Sequence, residues 1–472
     1  MPKNKLKFIC SKLQSAFLIL LAGISFAQIG TAKADQPNVI IIFTDDQGYQ
    51  DLGSFGSPNI KTPNLDKIAK EGTRFTDFYS ANSVCSPSRA SLLTGRYPQR
   101  TSITGVLFPT STNGLPQNEI TIAELLKQKG YATACVGKWH IGHKKEYLPT
   151  QHGFDSYFGI PYSNDMSLFK NPTLSKDVNL RDGASIEKIN QGIYYPNKGE
   201  NKRRSPLMRN EEVIEFPADQ STLTKRYTDE AIRFIENNKN KPFFLYLAHT
   251  MPHIPLYATE KFRGKSEQGP YGDTVEEIDF NVGRLMKALK ENQLDENTLL
   301  IYTSDNGPWN LGKKGGCAKP LRGYKFNTLE GGQRVPCLMR WPGQIPAGKV
   351  CSEISSTMDL LPTIATLADC TVPVDRTIDG KNIFDLMAGK NGAKTPHEYL
   401  YYWRGKKVEA VRYGKWKLRT HKDISELHNL ESDISESRNL IEEKKEIAMH
   451  LSKKMEEHEA EVLEDFHNTY KK

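Results

Sequence analysis

Four short apolar runs punctuate the first three hundred residues, and each stops at a polar cluster. Val39-Ile40-Ile41-Ile42-Phe43 ends at Thr44-Asp45-Asp46, and the run over 131–136 ends at Gly137-Lys138-Trp139-His140. Phe243-Phe244-Leu245-Tyr246-Leu247 leads to His249 and His253, and Leu299-Leu300-Ile301-Tyr302 to Ser304-Asp305-Asn306-Gly307. Continuous apolar runs of this length have the pattern of strands buried on both faces. Helical segments lie between them. Pro63–Glu71 reads as a helix with Thr62 as its cap, Pro63 at its first position and Gly72 past its end. Thr121-Ile122-Ala123-Glu124 has capping-box spacing and opens a helix to Lys129, closed by Gly130. Tyr227, Ala231, Phe234 and Ile235 share one face of a helix over 223–238, and 274–293 reads as another. Alternating strands and helices predict an α/β fold with a largely parallel sheet. Ligand sites in such sheets lie beyond the carboxyl ends of the strands, so the four polar clusters are expected at one edge.

The pattern breaks twice. The segment 164–219 is polar, basic in patches and without sustained period, which predicts a long irregular excursion able to shape a cleft. After Trp341-Pro342-Gly343 the chain changes character: 358–368 looks helical despite Pro362, and 400–403 with 407–417 resembles a small antiparallel sheet. Turns are expected at Arg404-Gly405 and Tyr413-Gly414, and a charged helix at 442–464. A large domain over 35–345 and a smaller α+β subdomain over 346–472 follow from this reading.

The N-terminus is set apart. Lys3, Lys5, Lys7 and Lys12 precede an apolar run over 16–27 that is short for a membrane span, so 1–34 reads as a secretory signal peptide. Its removal, with five lysines and no acid, takes the net charge from +8 to +3. That balance is no footprint for nucleic acid. The mature chain is expected to be soluble, without a membrane anchor, in a periplasm or outside the cell. Cys85, Cys135, Cys317, Cys337, Cys351 and Cys370 remain, none with paired zinc spacing. Cys135, inside an apolar run, reads as a plain buried thiol, and a disulfide among the others is compatible with an oxidising compartment.

Asp45, Asp46, Asp305 and Asn306 place oxygen ligands at the ends of two strands. Adjacent carboxylates at a buried strand end repel, and a divalent cation relieves that cost; an all-oxygen set suits calcium or magnesium rather than zinc. The same residues are also common in turns. Lys138 and His140, two apart in an extended segment, point to one side and with His253 and Lys325 can surround an anionic group with charge and proton-transfer capacity. Taken singly, a histidine is more often structural and a lysine is usually a solvated surface charge. Cys85 stands near the N-terminus of a helix continuing through 90–93, where free N–H groups favour anions, although Ser86-Pro87-Ser88 as a simple cap fits the same residues.

The combination resembles a known family. Cys85-Ser86-Pro87-Ser88-Arg89, continued to Arg96, is similar to the C-x-P-S-R signature of type I, formylglycine-dependent sulfatases, arylsulfatase-like members of the alkaline phosphatase superfamily. Thr44-Asp45-Asp46, Gly137-Lys138-Trp139-His140, His152-Gly153-Phe154-Asp155, Ser304-Asp305-Asn306-Gly307 and Glu330-Gly331-Gly332 follow in the family's order, and Glu426-Leu427-His428-Asn429-Leu430 resembles its C-terminal subdomain. The resemblance implies a large, mostly parallel mixed sheet between helices, with a smaller C-terminal domain built on a four-stranded antiparallel sheet. It implies that a maturation enzyme reading Pro87 and Arg89 oxidises Cys85 to Cα-formylglycine. Calcium, rather than magnesium, would bind the residues matching Asp45, Asp46, Asp305 and Asn306, close to residue 85. In the implied mechanism the hydrated aldehyde attacks sulfur, Arg89 and Lys138 hold hydrate and sulfate, and Lys325 binds sulfate oxygens. His253 then protonates the departing alcohol, and His140 takes the proton that lets sulfate leave. Ser163 matches a sulfate-contacting position less closely; His249 is a further pocket candidate, and Trp309, just after Asp305-Asn306-Gly307, is a candidate to contact a sugar ring, with ordinary packing an equally good reading.

An exported member of such a family is expected to act on a sulfated polysaccharide or oligosaccharide, such as carrageenan or a glycosaminoglycan. The competing readings are an aryl sulfate scavenger, a phosphodiesterase or phosphonate hydrolase using the same aldehyde, and a non-catalytic glycan-binding relative.

Overall fold

Along Asn38–Thr44 neighbouring side chains enter different cores, and all seven residues are buried. Val39, Ile41 and Phe43 pack with Phe244, Tyr246 and Ile301 on one face of the sheet; Ile40 and Ile42 pack with Phe243, Leu245 and Tyr302 on the other. Each such side chain removed from water contributes roughly 2 kcal/mol, so a strand feeding both cores carries no polar alternation. The computed structural model describes residues 36–195 and 203–470. The expected signal peptide lies outside them.

The main sheet has eleven strands. Thr298–Ser304, Asn38–Thr44, Phe243–Ala248, Ala132–Gly137 and Ser156–Gly159 lie side by side in that order, all parallel. Thr44 pairs with Ser304, and Ala248 with both Phe43 and Gly137, so four strands end level and deliver their polar clusters to one edge. Antiparallel strands Cys337–Arg340 and Leu207–Arg209 flank this centre and make the sheet mixed.

Segment 164–219 departs from the expectation of an irregular excursion. Leu174–Leu180, Leu207–Arg209 and Glu212–Phe216 extend the main sheet to its far edge. The outermost, LSKDVNL, is half-solvated, and an edge strand needs no apolar run. The helices differ from expectation in smaller ways. Pro63–Glu71 forms as read, but the Thr62 hydroxyl is occupied by Gly53 and Asp66, and Asp279 from helix Pro270–Glu291 accepts from the Asn64 and Leu65 N–H groups. Thr121 and Glu124 do form a capping box, on a helix ending at Lys127.

The second sheet, Tyr399–Arg404, Lys407–Tyr413, Trp416–His421 and Ile424–Asn429, is antiparallel in sequence order. Helix Lys445–Tyr470 covers it through Leu451 and Val462 against Val411 and Leu418. Its other face meets the main body through Glu330, which accepts from Lys417 Nζ at 2.9 Å, Tyr402 at 2.8 Å and Tyr79 at 2.6 Å. Residues Gln36–Lys472 form one unit. Among the described residues the six cysteines are free, Cys135 is buried as expected, and no helix is long and apolar enough to cross a membrane.

Candidate active site

Helix Cys85–Thr94 is buried along its whole length despite three serines and an arginine, and Cys85 is its first residue. Val84 enters extended, and Gly95, with φ of 68°, ends the helix by donating its N–H to Ser91. The burial of Arg89 is compensated by its partners. Its guanidinium donates to Asp305 Oδ2 at 3.1 and 2.8 Å and to the Lys138 carbonyl at 2.9 Å, and lies 3.8 Å from Asp45.

Asp46 has φ of 62°, a turn that short polar side chains tolerate. Asp45 Oδ2 accepts from Lys138 Nζ at 2.5 Å. The Asp46 carboxylate accepts from Lys325 Nζ at 2.8 Å and Asn306 Nδ2 at 2.7 Å, while the Asp46 N–H donates to Asp305 at 3.1 Å. Three buried carboxylates thus face three buried cations, Arg89, Lys138 and Lys325. Two oxygens remain orphaned in the middle: Asp45 Oδ1 and Asn306 Oδ1 are buried without a hydrogen-bond partner. A buried unsatisfied acceptor costs about 1–3 kcal/mol, and a hard divalent cation is the partner this donor set fits. Ligand atoms of Asp45, Asp46, Cys85 and His253 lie within 4.8 Å of one another, which adds His253 to the expected set.

The electrostatics are uneven. Burial pushes Asp45 up, but Lys138, His253, Arg89 and Lys325 together hold it well below the usual carboxylate range. Burial and then the charge of Asp45 push Asp305 up to about 7 despite Arg89. Burial also pushes the Cys85 thiol up against the pull of Lys138 and Lys325, so the thiol itself is a poor nucleophile.

His140 is held with φ of 62°. Its Nε2 lies 2.9 Å from the Leu107 carbonyl, which can only accept, so Nε2 carries the proton and Nδ1 is left buried and without a partner. Burial, with Lys138 and Arg89, holds His140 well below its ordinary value. His253 donates from Nδ1 to the Ile254 carbonyl at 2.5 Å and presents Nε2 3.6 Å from Asp46. Ser163 Oγ lies 3.3 Å from Lys138 Nζ and 3.5 Å from His253 Nδ1. The Trp309 ring sits 5.5 Å from that of His253, with Lys325 Nζ 4.7 Å from its centroid. His249 is buried with both ring nitrogens unpartnered, its ring is tilted against that of Tyr227 with centroids 6.4 Å apart, and burial pushes it down to about 4. None of its described contacts reaches Cys85 or the acids.

Two motif glycines have steric reasons. A Cβ at Gly137, where φ is 111°, would lie 1.8 Å from the Ala248 carbonyl oxygen, and one at Gly307 would lie 1.8 Å from that of Gly331. The first lets the chain turn Lys138 into the site, and the second locks the Asp305-Asn306-Gly307 loop against Glu330-Gly331-Gly332. Sequence reading missed the Leu107 carbonyl and Phe326, whose ring is 5.4 Å from that of Trp309. A main-chain acceptor leaves no residue signature.

A nucleophile position at a helix N-terminus, walled by cations beside a cation-ready acid cluster, belongs to hydrolases of tetrahedral oxyanion esters. The sequence model of the family described as Sulfatase matches residues 37–370, and one described as N-sulphoglucosamine sulphohydrolase, C-terminal, matches 325–461. The chain belongs to the sulfatase family, within the alkaline phosphatase superfamily, and is a sulfuric ester hydrolase. It is 42% identical to arylsulfatase A of Homo sapiens over 401 residues, covering 82% of this chain and 75% of that one. It is 38% identical to N-acetylgalactosamine-6-sulfatase of Canis lupus familiaris over 411 residues, covering 84% and 74%. Among solved structures it resembles Ps i-CgsB, with a TM-score of 0.78, 33% identity and coverage of 90% and 93%; that protein is also known in complex with k-i-k-neocarrahexaose.

Proposed function

We propose that this sulfatase is exported to the periplasm or the cell exterior and removes sulfate from a polysaccharide or oligosaccharide such as carrageenan or a glycosaminoglycan, with 35–345 as its catalytic domain and 346–472 as its C-terminal subdomain. The observation that carries the site chemistry is the pair of orphaned oxygens, Asp45 Oδ1 and Asn306 Oδ1, buried among three carboxylates beside Cys85. Asp45, Asp46, Asp305 and Asn306 would hold calcium, with residue 85 and His253 alongside, and the ion would supply charge neutralisation for the sulfuryl oxygens. Formylglycine, made from Cys85 by a maturation enzyme, would supply as its hydrate the oxygen that attacks sulfur.

The remaining roles follow from the side chains. Lys325 and Lys138 present ammonium groups to the sulfate oxygens. Arg89, whose described bonds go to Asp305 and the Lys138 carbonyl, holds that frame in place. With its Nδ1–H held by the Ile254 carbonyl, His253 would protonate the leaving alcohol from Nε2 as the imidazolium, and His140, whose Nδ1 is free, would accept a proton at residue 85. Three carboxylates balance three cations, so a bound divalent ion leaves a net positive pocket for the ester. The saccharide reading is supported by export and by the likeness to a structure that carries neocarrahexaose.

The test is release of free sulfate from a panel of sulfated polysaccharides, their oligosaccharides and an aryl sulfate, with Cys85→Ser as control. Release from one glycan class, lost in the variant, is expected. Release from the aryl sulfate alone would sink the saccharide assignment and favour the scavenger reading, and turnover of an aryl phosphate diester above the sulfate would favour the phosphodiesterase.

A further inference from the structure

Phe326 is where backbone and side chain disagree. Its φ is 75°, a left-handed conformation that bulky residues avoid. The loop is pinned there: the Phe326 N–H donates to the Ser83 carbonyl at 3.0 Å and the Lys325 N–H to the Pro308 carbonyl at 2.9 Å. The residue is nonetheless 40% exposed. It stands edge-on to Trp309, with centroids 5.4 Å apart and an interplanar angle of 79°, and Lys325 Nζ lies 5.3 Å from its centroid. Trp309 in turn adjoins His253.

If this loop served only to aim Lys325, glycine at 326 would give the same backbone without strain. A strained position that carries a half-exposed apolar ring has a use for the ring. We propose that Phe326 and Trp309 form an apolar wall for the pyranose ring bearing the sulfate ester, receiving its C–H face while the ester turns toward Lys325 and His253. This deepens the saccharide reading above and rests on it. The wall would select alcohols with a flat apolar face adjoining the ester carbon, which the charged groups of the pocket cannot do.

Phe326→Gly deletes the ring in a residue type the backbone favours, so the variant is expected to melt no lower than the parent. Its KM for the sulfated oligosaccharide should rise about tenfold, the scale of one aromatic contact, while kcat stays within about twofold. Inhibition by inorganic sulfate, which has no ring, should not change, and Phe326→Tyr should restore KM. An unchanged KM would overturn the proposal. So would a fall in kcat with weakened sulfate inhibition, which would place Phe326 behind Lys325 rather than against the sugar. Wild-type enzyme that releases no sulfate from any saccharide would overturn the saccharide reading and this proposal together; wild-type release with an unchanged KM in Phe326→Gly would overturn this proposal alone.

Discussion

Lys325 Nζ stands 3.5 Å from Cys85 Sγ and 2.8 Å from an Asp46 carboxylate oxygen, so one buried ammonium links the nucleophile position to the acid cluster. Burial pulls its pKa down, but Asp46, Cys85 and Asp45 raise it further, and it stays charged. In the proposed site its charge would meet the oxygens of the transferred sulfuryl group. Lys325→Met keeps the length and removes the charge, and kcat should fall by about 10²–10³ in a sulfate-release assay. A loss below tenfold would show that the ammonium faces no developing charge.

Cation removal should be equally informative. Dialysis against a chelator is expected to abolish turnover and lower the melting temperature, and calcium to restore both. At a hundredfold excess over Kd, a ligand that binds only the folded state adds about 2.7 kcal/mol. Asn306→Ala should lose most of that calcium-dependent shift in a thermal melt. Full activity in metal-free protein, verified by elemental analysis, would contradict the reading of Asp45, Asp46, Asp305 and Asn306 as ligands.

His140 acts as a base only when unprotonated, so its pKa sets an acid limb on kcat. Burial, Lys138 and Arg89 all lower that pKa, and a bound cation pushes in the same direction. An ordinary histidine, near 6.5, is about nine-tenths protonated at pH 5.5. The enzyme should keep kcat within about twofold of its plateau there. A limb centred near pH 6.5 would contradict this placement of His140.

Glu330 makes a prediction about stability. Burial pushes its carboxyl up, but Lys417, Arg334 and Arg412 hold it well below the usual carboxylate range. A lowered carboxylate contributes stability that is present above the unfolded value and lost as pH falls through the folded one. Lys417→Met leaves Glu330 short of its main partner and should cost about 3 kcal/mol in denaturant unfolding at neutral pH. A cost under about 1 kcal/mol would contradict the reading of Lys417 as the main partner of Glu330.

Much of this was legible in the sequence because its causes are local. The run Val39 to Phe43 could only be a strand with two covered faces, and its stop at Asp45 put the acids at the sheet edge. Thr121 and Glu124 sit three apart and cap one another within a single turn. What escaped depends on distant partners. Asp279 caps a helix more than two hundred residues earlier, and strand Leu174–Leu180 exists because Glu212–Phe216 offers it an edge. At the site, Lys138 and His253 stood out only in combination with the other polar clusters, whereas Leu107 acts through an oxygen that every residue has, and Phe326 is marked by a φ angle that no residue type announces.

The proposed chemistry depends on Cys85 working as an oxidised residue within this cage. It is tested most directly by the mass of the peptide between Arg74 and Arg89, taken from enzyme whose sulfate release has just been measured. An aldehyde or its hydrate is expected in place of the thiol, in a fraction that tracks specific activity across preparations. A fully active preparation carrying only the unmodified thiol would contradict it.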